Sequence, residues 1–259
     1  MSSVSTETGA DGMPDCRIGM LTPSSNTVLE PMTNALLAPV AGRVTAHFAR
    51  FRVTRIALDS GADSQFAPDT ILAAAELLAD AAPSVIAWNG TAASWLGFDA
   101  DDRLCAAIRE RTGIAATSAI ISLNRLMRLM RVRRIGLVTP YTAGVAERIT
   151  RNYAEVGIET VAASHAGLED NFAFATLPEA RVQQMCADVA AQGPDAIIVL
   201  CTNMRGPLIA PQVERDFDIP VLDSISVTLW GAMQEAGLDT RPLERFGRLF
   251  RHDARPSAA

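Results

Sequence analysis

The strongest constraint in this sequence of 259 residues is that it repeats itself. Three segments of the first half return in the second half: residues 17–23 as 134–140, Gly90-Thr91 as Cys201-Thr202, and residues 114–118 as 219–223. The matches occur in the same order, and their spacing changes only slowly along the chain. Such a long period indicates two copies of one structural unit.

Short apolar segments alternate with amphipathic ones inside each copy. In the first copy, we predict strands at residues 17–22, 44–53, 85–88 and 115–118, and helices at 26–37, 70–81 (with Asp69 as N-cap) and 101–112. In the second copy, we predict strands at 135–139, 159–163, 196–201 and 221–222, and helices at 143–156, 178–191 and 207–217. This alternation implies parallel sheets with helices on both faces. The predicted fold class is α/β, with two pseudo-symmetric flavodoxin-like domains, parallel sheets, and an active site in the cleft between them.

The repeat also predicts the domain boundaries. Residues 16–120 form the first domain, which residues 227–252 complete, and residues 121–226 form the second. A helix at 122–130 links the copies. Residues 1–15 are expected to be a disordered leader and residues 253–259 a disordered tail, because both are rich in small and polar residues.

Composition excludes several classes of protein. The sequence has no run of about 18 apolar residues, so no membrane span is predicted. The first 15 residues lack the apolar core of a signal peptide, so a cytoplasmic location is expected. The four cysteines and three histidines are scattered, which argues against a metal site. The net charge of −6 disfavours nucleic acid, and the absence of glycine-rich phosphate loops implies no nucleotide cofactor.

Ligands of parallel sheets bind beyond the carboxyl ends of the strands. Four segments fall there: residues 22–26, 89–91, 139–141 and 201–203. The candidate substrate-binding residues are Ser24, Ser25, Asn26, Thr91, Ala92, Tyr141, Thr202 and Asn203, and the candidate catalytic positions are Cys201 and Gly90. Hydroxyl, amide and backbone N–H groups at such junctions suit a carboxylate, but N-capping explains Ser24, Ser25, Asn26 and Thr91 equally well. Tyr141 has a core role as its alternative.

Cys201 is the only cysteine that falls at a predicted strand end. The helix near Pro207 is expected to direct its dipole at this loop and lower the pKa of the thiol. The alternative is a buried packing residue, which is the reading adopted for Cys16, Cys105 and Cys186. His165 lies in a segment, residues 164–176, that could be a lid. Arg125, Arg128, Arg131, Arg133 and Arg134 are interpreted as a solvated helix face.

These residues resemble the aspartate/glutamate racemase superfamily over nearly the whole chain. Residues 23–27 (PSSNT) resemble the maleate cis–trans isomerase branch, and residues 201–205 (CTNMR) are similar to the ectoine-utilisation relatives. Three further features resemble the arylmalonate decarboxylase branch: Gly90-Thr91, Tyr141 with Glu147-Arg148, and residues 247–250 (GRLF).

The resemblance implies a function. Racemases and maleate isomerases of this superfamily carry one cysteine in each half, whereas Gly90 occupies the first position here. A single second-half thiol is the decarboxylase arrangement. It implies a cofactor-independent decarboxylase of a substituted malonate or related diacid, with an enediolate that Cys201 protonates. Ala92 replaces a serine of the decarboxylases, so one hydroxyl donor is missing.

Two alternatives remain open. One is a maleate isomerase or amino-acid racemase in which another residue replaces the first thiol. The other is a carboxylate-binding protein without catalysis. In every case the expected partner is a small dicarboxylate, with no cofactor, metal, nucleic acid or membrane, and with a homo-oligomer left open.

Overall fold

The computed structural model describes residues 16–59, 61 and 64–253, which form two four-stranded parallel sheets. The first sheet contains β1 (Cys16–Pro23), β2 (Val44–Phe51), β3 (Val85–Trp88) and β4 (Ala115–Ser118), in the order β2-β1-β3-β4. The second contains β5 (Arg134–Thr139), β6 (Glu159–His165), β7 (Ala196–Val199) and β8 (Val221–Asp223), in the order β6-β5-β7-β8. The equivalent strand orders confirm the predicted α/β fold with two related halves, which we call the first and second lobes.

Helices cover both sheets. They are α1 (Leu29–Leu37), α2 (Pro68–Ala79), α3 (Ala93–Leu96), α4 (Asp99–Thr112), α5 (Ala119–Met130), α6 (Ala143–Glu155), α7 (Asn171–Phe174), α8 (Glu179–Ala190), α9 (Gly206–Phe217) and α10 (Ser224–Glu235). Short 3-10 helices occur at Ala38–Val40, Ser64–Phe66, Arg241–Phe246 and Arg248–Arg251. The central strands β3 and β7 are buried along their whole length, as expected for parallel strands covered on both faces.

Several predicted element ends are wrong, for local reasons. Helix α1 begins at Leu29 rather than at residue 26, because the Asn26 side chain accepts the first helical N–H groups from outside the helix. Helix α2 begins at Pro68 with Ala67 as N-cap, so Asp69 lies in the first turn and caps nothing. Proline suits this place because the first N–H of a helix needs no partner.

The second-lobe strand β7 stops at Val199, two residues earlier than predicted, so that Leu200 and Cys201 extend beyond the sheet. Residues 164–176, the possible lid, contain regular secondary structure, because β6 runs to His165 and α7 follows. The exposed His165 therefore ends a strand. The predicted leader, residues 1–15, and residues 254–259 of the predicted tail lie outside the described residues.

The last helix and the linking helix pack together. Helix α10 lies against α5 and also contacts β3, β4 and α1, so the end of the chain returns to the first lobe. None of the described helices is both long and apolar enough to cross a membrane. Within the described ranges, no three histidine, cysteine or acidic side chains are grouped so as to hold a metal ion.

Candidate active site

Two equivalent turns face each other between the lobes. The glycine turn, residues 89–91, follows β3, and the thiol turn, residues 201–203, follows β7. Each turn is held by a backbone hydrogen bond to the neighbouring strand. In the first lobe, Asn89 N–H donates to Leu21 O (3.1 Å). In the second lobe, the N–H of Leu200, just before the thiol turn, donates to Val138 O (2.9 Å). The repeated sequence therefore places Gly90 and Cys201 at matching points of the two sheets.

A small cavity of about 20 Å³ lies between the two turns. Among the predicted site residues it is lined by Gly90, Thr91, Tyr141, Cys201 and Thr202. Its other lining residues are Pro23, Val53, Ile56, Phe66, Asn89, Trp95 and Asn171. Since a cavity of roughly 10–15 Å³ holds one water molecule, this space has room for about one.

Tyr141 connects the two turns. Its hydroxyl lies 2.7 Å from the Thr91 hydroxyl and is also hydrogen-bonded to the Cys201 thiol. Its ring packs edge-on against Trp95 and Phe174, with centroids 5.3 and 5.5 Å away. Burial of the phenol raises its pKa well above the usual value, so the hydroxyl stays protonated and can donate a hydrogen bond.

The Cys201 thiol is buried, with 5% of the residue exposed. Burial raises its pKa to about 12, and the hydrogen bonds from Asn203 N–H (3.3 Å) and the Tyr141 hydroxyl offset this only in part. The predicted lowering of the thiol pKa is therefore wrong in sign. Desolvation of the thiolate outweighs any attraction from helix α9, which starts five residues further on at Gly206.

Backbone N–H groups beside the thiol have no acceptor. Among the residues that the structure describes, the N–H groups of Gly90, Thr91 and Thr202 donate no hydrogen bond. Buried N–H groups are nearly always paired, so three free donors at two facing turns point to an acceptor that binds there. A carboxylate supplies acceptors of the right kind.

Gly90 is glycine because Trp88 occupies the space beside it. A Cβ atom built at Gly90 would overlap the Cζ2 and Cε2 atoms of the Trp88 indole. The backbone of Gly90 needs no positive φ, so the requirement is one of space. The indole is held in turn by a hydrogen bond to Asp101, a carboxyl whose pKa burial raises to about 7.

Two short segments cover the cavity from opposite lobes. Asn171 N–H donates to Thr54 O and Ile56 N–H donates to Glu169 O, both at 2.9 Å, which pairs Arg55 with Asp170 as an antiparallel bridge. We call residues 53–56 with 169–171 the interlobe bridge. Val53, Ile56 and Asn171 line the cavity from this bridge, so it closes the site from above.

The remaining predicted residues support the turns without lining the cavity. Asn26 donates from Nδ2 to the Thr202 hydroxyl (3.1 Å), and that hydroxyl donates to Asn89 O (2.8 Å). Asn203 accepts the Thr27 N–H (3.1 Å).

Ser24 and Ser25 bond to Val53 O, and Ser25 also accepts from Asn171 Nδ2 (2.7 Å). Ala92 begins the short helix α3 as its N-cap. Substrate binding by Ser24, Ser25, Asn26, Ala92 and Asn203 stays a prediction. The side chains of Ser24, Ser25, Asn26 and Asn203 form hydrogen bonds within the protein.

The sequence reasoning missed the residues that close the cavity, namely Val53, Ile56, Phe66 and Asn171. Nothing in their local pattern marks them, because Val53, Ile56 and Phe66 lie between β2 and α2, and Asn171 begins the short helix α7. Trp95, from the short helix α3, also lines the cavity.

A family model described as arylmalonate decarboxylase matches residues 28–250. Arylmalonate decarboxylase of Bordetella bronchiseptica is 28% identical over 231 residues, which cover 85% of this chain and 96% of that protein. Maleate isomerase of Nocardia farcinica is 26% identical over 252 residues, which cover 94% and 98%. A liganded mutant of arylmalonate decarboxylase superposes with a TM-score of 0.79 at 25% identity, covering 91% of this chain and 98% of the other.

Proposed function

The chain belongs to the arylmalonate decarboxylase family, and from this premise we propose that it is a cofactor-independent decarboxylase of a substituted malonate or a related diacid. Its named relatives are decarboxylases and maleate isomerases, so membership supports enzymatic activity on small acids. One observation carries the choice of decarboxylation: a single protonated thiol, Cys201, faces a glycine across the cavity.

The reaction needs a place for the carboxylate that stays. In our proposal its oxygens accept hydrogen bonds from the free N–H groups of Gly90, Thr91 and Thr202, with the Thr91 and Tyr141 hydroxyls close by. When the bond to the departing carboxylate breaks, its electron pair moves into an enediolate. Donors aimed at the retained oxygens bind this charge more strongly than they bind the substrate, which lowers the barrier.

The departing carboxylate needs the opposite environment. Val53, Ile56, Phe66 and Trp95 supply apolar walls to the same cavity. A carboxylate held against such walls loses its hydration, whereas neutral CO₂ does not need it. This difference favours release of CO₂ once the cavity is closed.

Cys201 completes the reaction as a general acid. A thiol with a pKa of about 12 is fully protonated at neutral pH. Its proton passes to the central carbon as the enediolate collapses to the product acid, and the resulting thiolate regains a proton from water. Donation from one face only makes the product a single enantiomer when the central carbon bears two different substituents.

A second cavity offers space for the substituent. It measures about 290 Å³, lies next to the site and shares Phe66 with it. Most of its lining is apolar, including Ile71, Leu96 and Leu104. Displacement of Phe66 would join the two spaces, so we assign an aryl or alkyl substituent to this second cavity.

Substrate entry requires the site to open. A cavity of about 20 Å³ is too small to hold a diacid. The interlobe bridge rests on two backbone hydrogen bonds, the bond from Asn171 Nδ2 to the Ser25 hydroxyl (2.7 Å), and an exposed ion pair between Arg55 and Glu169 (3.5 Å). These contacts are few, and the ion pair lies at the surface, where it contributes little. We therefore assign the opening motion to this bridge.

A maleate isomerase or racemase-type isomerase is the second candidate, because the maleate isomerase relative covers 94% of the chain. Against it stands Trp88, which fills the space where a first-lobe thiol would be needed.

The test is a substrate panel with the full chain: phenylmalonate, alkylmalonates, maleate, and the enantiomers of aspartate and glutamate. We expect CO₂ from at least one malonate. Fumarate or epimerised amino acids would support the second candidate instead. Stoichiometric binding across the panel without turnover would show a carboxylate-binding protein and overturn the proposal.

A further inference from the structure

A larger cavity lies away from the two turns, where the lobes meet the linking helix. It measures about 660 Å³, which falls within the roughly 300–1,000 Å³ typical of small-molecule sites. Phe98 and Asp102 line it from the first lobe, Ile120, Ile121, Asn124 and Arg128 from α5, and Arg131, Val132, Arg133, Val156 and Ile158 from the segments before β5 and β6. None of these residues lines the catalytic cavity.

Three arginines without partners among the described residues line this cavity, and all three are exposed. The side chains of Arg128, Arg131 and Arg133 form no ion pair and no hydrogen bond with any part of the chain that the structure describes. Their neighbours in sequence behave differently, since Arg125 pairs with Glu235 (2.8 Å) and Arg134 with Glu159 (3.9 Å). The predicted solvent exposure is correct for Arg128, Arg131, Arg133 and Arg134, but the single helix face is wrong, because helix α5 ends at Met130.

The rest of the lining is suited to an apolar body with one polar contact. Six of the lining side chains are apolar: Phe98, Ile120, Ile121, Val132, Val156 and Ile158. Asn124 adds an amide whose Oδ1 atom is buried and lacks a hydrogen-bond partner among the described residues. Asp102 is the single carboxylate in the lining, so positive charge exceeds negative by two.

We propose that this cavity binds a small organic anion that has an apolar body and a carboxylate or phosphate head group. Guanidinium groups bind both head groups through paired N–H donors, which fixes their orientation as well as their charge. The apolar walls take the body of the ligand. The ligand differs from the proposed diacid substrate, because six of the eight lining residues other than the arginines are apolar.

The position of the cavity would allow such a ligand to affect how the two lobes are arranged. It would touch both lobes and the helix that joins them. Phe98 lies in the cavity wall and packs on Tyr153 of the second lobe, with ring centroids 5.1 Å apart. A ligand that binds one lobe arrangement more tightly than another shifts the balance between them.

The experiment is calorimetric titration of the full chain with octanoate and, separately, with octyl phosphate. We expect saturable binding of one equivalent, at least tenfold tighter than that of 1-octanol, octylamine or inorganic phosphate. Tighter binding of octyl phosphate identifies a phosphate head group, and tighter binding of octanoate a carboxylate.

The variant Arg128→Met/Arg133→Met tests the location, because methionine keeps an apolar stem and removes the charge. We expect its affinity to fall at least tenfold. Arg151→Met, an exposed arginine outside the cavity, is the matched control and should bind as the native chain does. Thermal unfolding of both variants checks that the fold is intact.

Three results would overturn the proposal: no binding of either anion, equal affinity in the double variant, or equal affinity for 1-octanol. Sedimentation provides a further check. If the native chain is a dimer, the double variant a monomer, and neither anion binds, the cavity is an interface between two copies and holds no ligand.

Discussion

The glycine turn and the thiol turn come from the same sequence repeat, but the space beside the central residue of each turn is filled differently. In the second lobe, the residue two places before Cys201 is Val199, and the thiol reaches the cavity. In the first lobe, the corresponding residue is Trp88, and its indole lies where a side chain on Gly90 would be. Residues two apart in an extended segment tend to share a face, so the two positions compete for one volume.

This difference shows that the missing thiol is part of a packing arrangement. The indole of Trp88 packs on Phe51, with ring centroids 5.1 Å apart, and is anchored by the buried Asp101. One lobe thus provides a thiol, and the other provides an indole wall and backbone donors. In the proposed reaction, the two faces of the planar enediolate would therefore meet different groups.

The largest expected effect on activity comes from removing the thiol of Cys201. In Cys201→Ala we expect the rate of CO₂ release to fall about 10²- to 10⁴-fold, because the general acid is gone. The retained carboxylate keeps its backbone donors, so KM should change little. Steady-state kinetics of Cys201→Ala beside Cys186→Ala, a buried second-lobe cysteine outside the site, measures this. Full activity in Cys201→Ala would refute the role.

The next effect concerns the support of the first-lobe wall. The pKa of Asp101 is raised from 3.8 to about 7 in the folded chain, mainly by burial, with a further contribution from Asp102. The folded state therefore binds more protons than the unfolded state between these values, and its stability falls as pH rises through this window.

Relative to Asp101→Asn, we expect the native chain to lose roughly 3 kcal/mol of unfolding free energy between pH 5 and pH 8. Urea unfolding of both proteins at the two pH values gives the difference. Other titrating groups, including the buried Asp223, are common to both proteins and largely cancel. A difference that does not change with pH would show that Asp101 is ionised throughout.

A third prediction tests the competition for space directly. Gly90→Cys alone should lose about 1–3 kcal/mol of stability, because the new side chain meets the indole. Trp88→Val/Gly90→Cys copies the second-lobe pair and should recover part of that loss. With a thiol on each face, only the double variant should exchange the α-proton of its product acid in deuterated water. Exchange in Gly90→Cys alone would mean that Trp88 moves aside freely.

The smallest effect concerns the group that joins the turns. Tyr141→Phe removes a hydroxyl that is bonded to both Thr91 and Cys201. We expect a loss of about 1 kcal/mol in stability and a fall of up to tenfold in kcat, as one hydrogen bond is worth roughly 0.5–1.5 kcal/mol. Phe174→Leu, which changes the packing beneath the same ring, serves as the control. An unchanged kcat in Tyr141→Phe would limit Tyr141 to packing.

Sequence alone determined the architecture and identified the central pair of the candidate site. The repeat implied two equivalent sheets, and the strand ends placed Gly90, Thr91, Tyr141, Cys201 and Thr202 at one cavity. These inferences succeed because apolar periodicity and parallel-strand topology are carried by neighbouring residues, which the chain displays in order.

Only the tertiary structure decided what surrounds that pair. The rise in the Cys201 pKa, the indole over Gly90, the interlobe bridge and the unpaired arginines all depend on segments far apart in the chain. Desolvation and steric exclusion are sums over every atom packed around a group. A local sequence pattern does not contain that sum. The sequence therefore identified the candidate thiol, and only the folded chain determined its pKa.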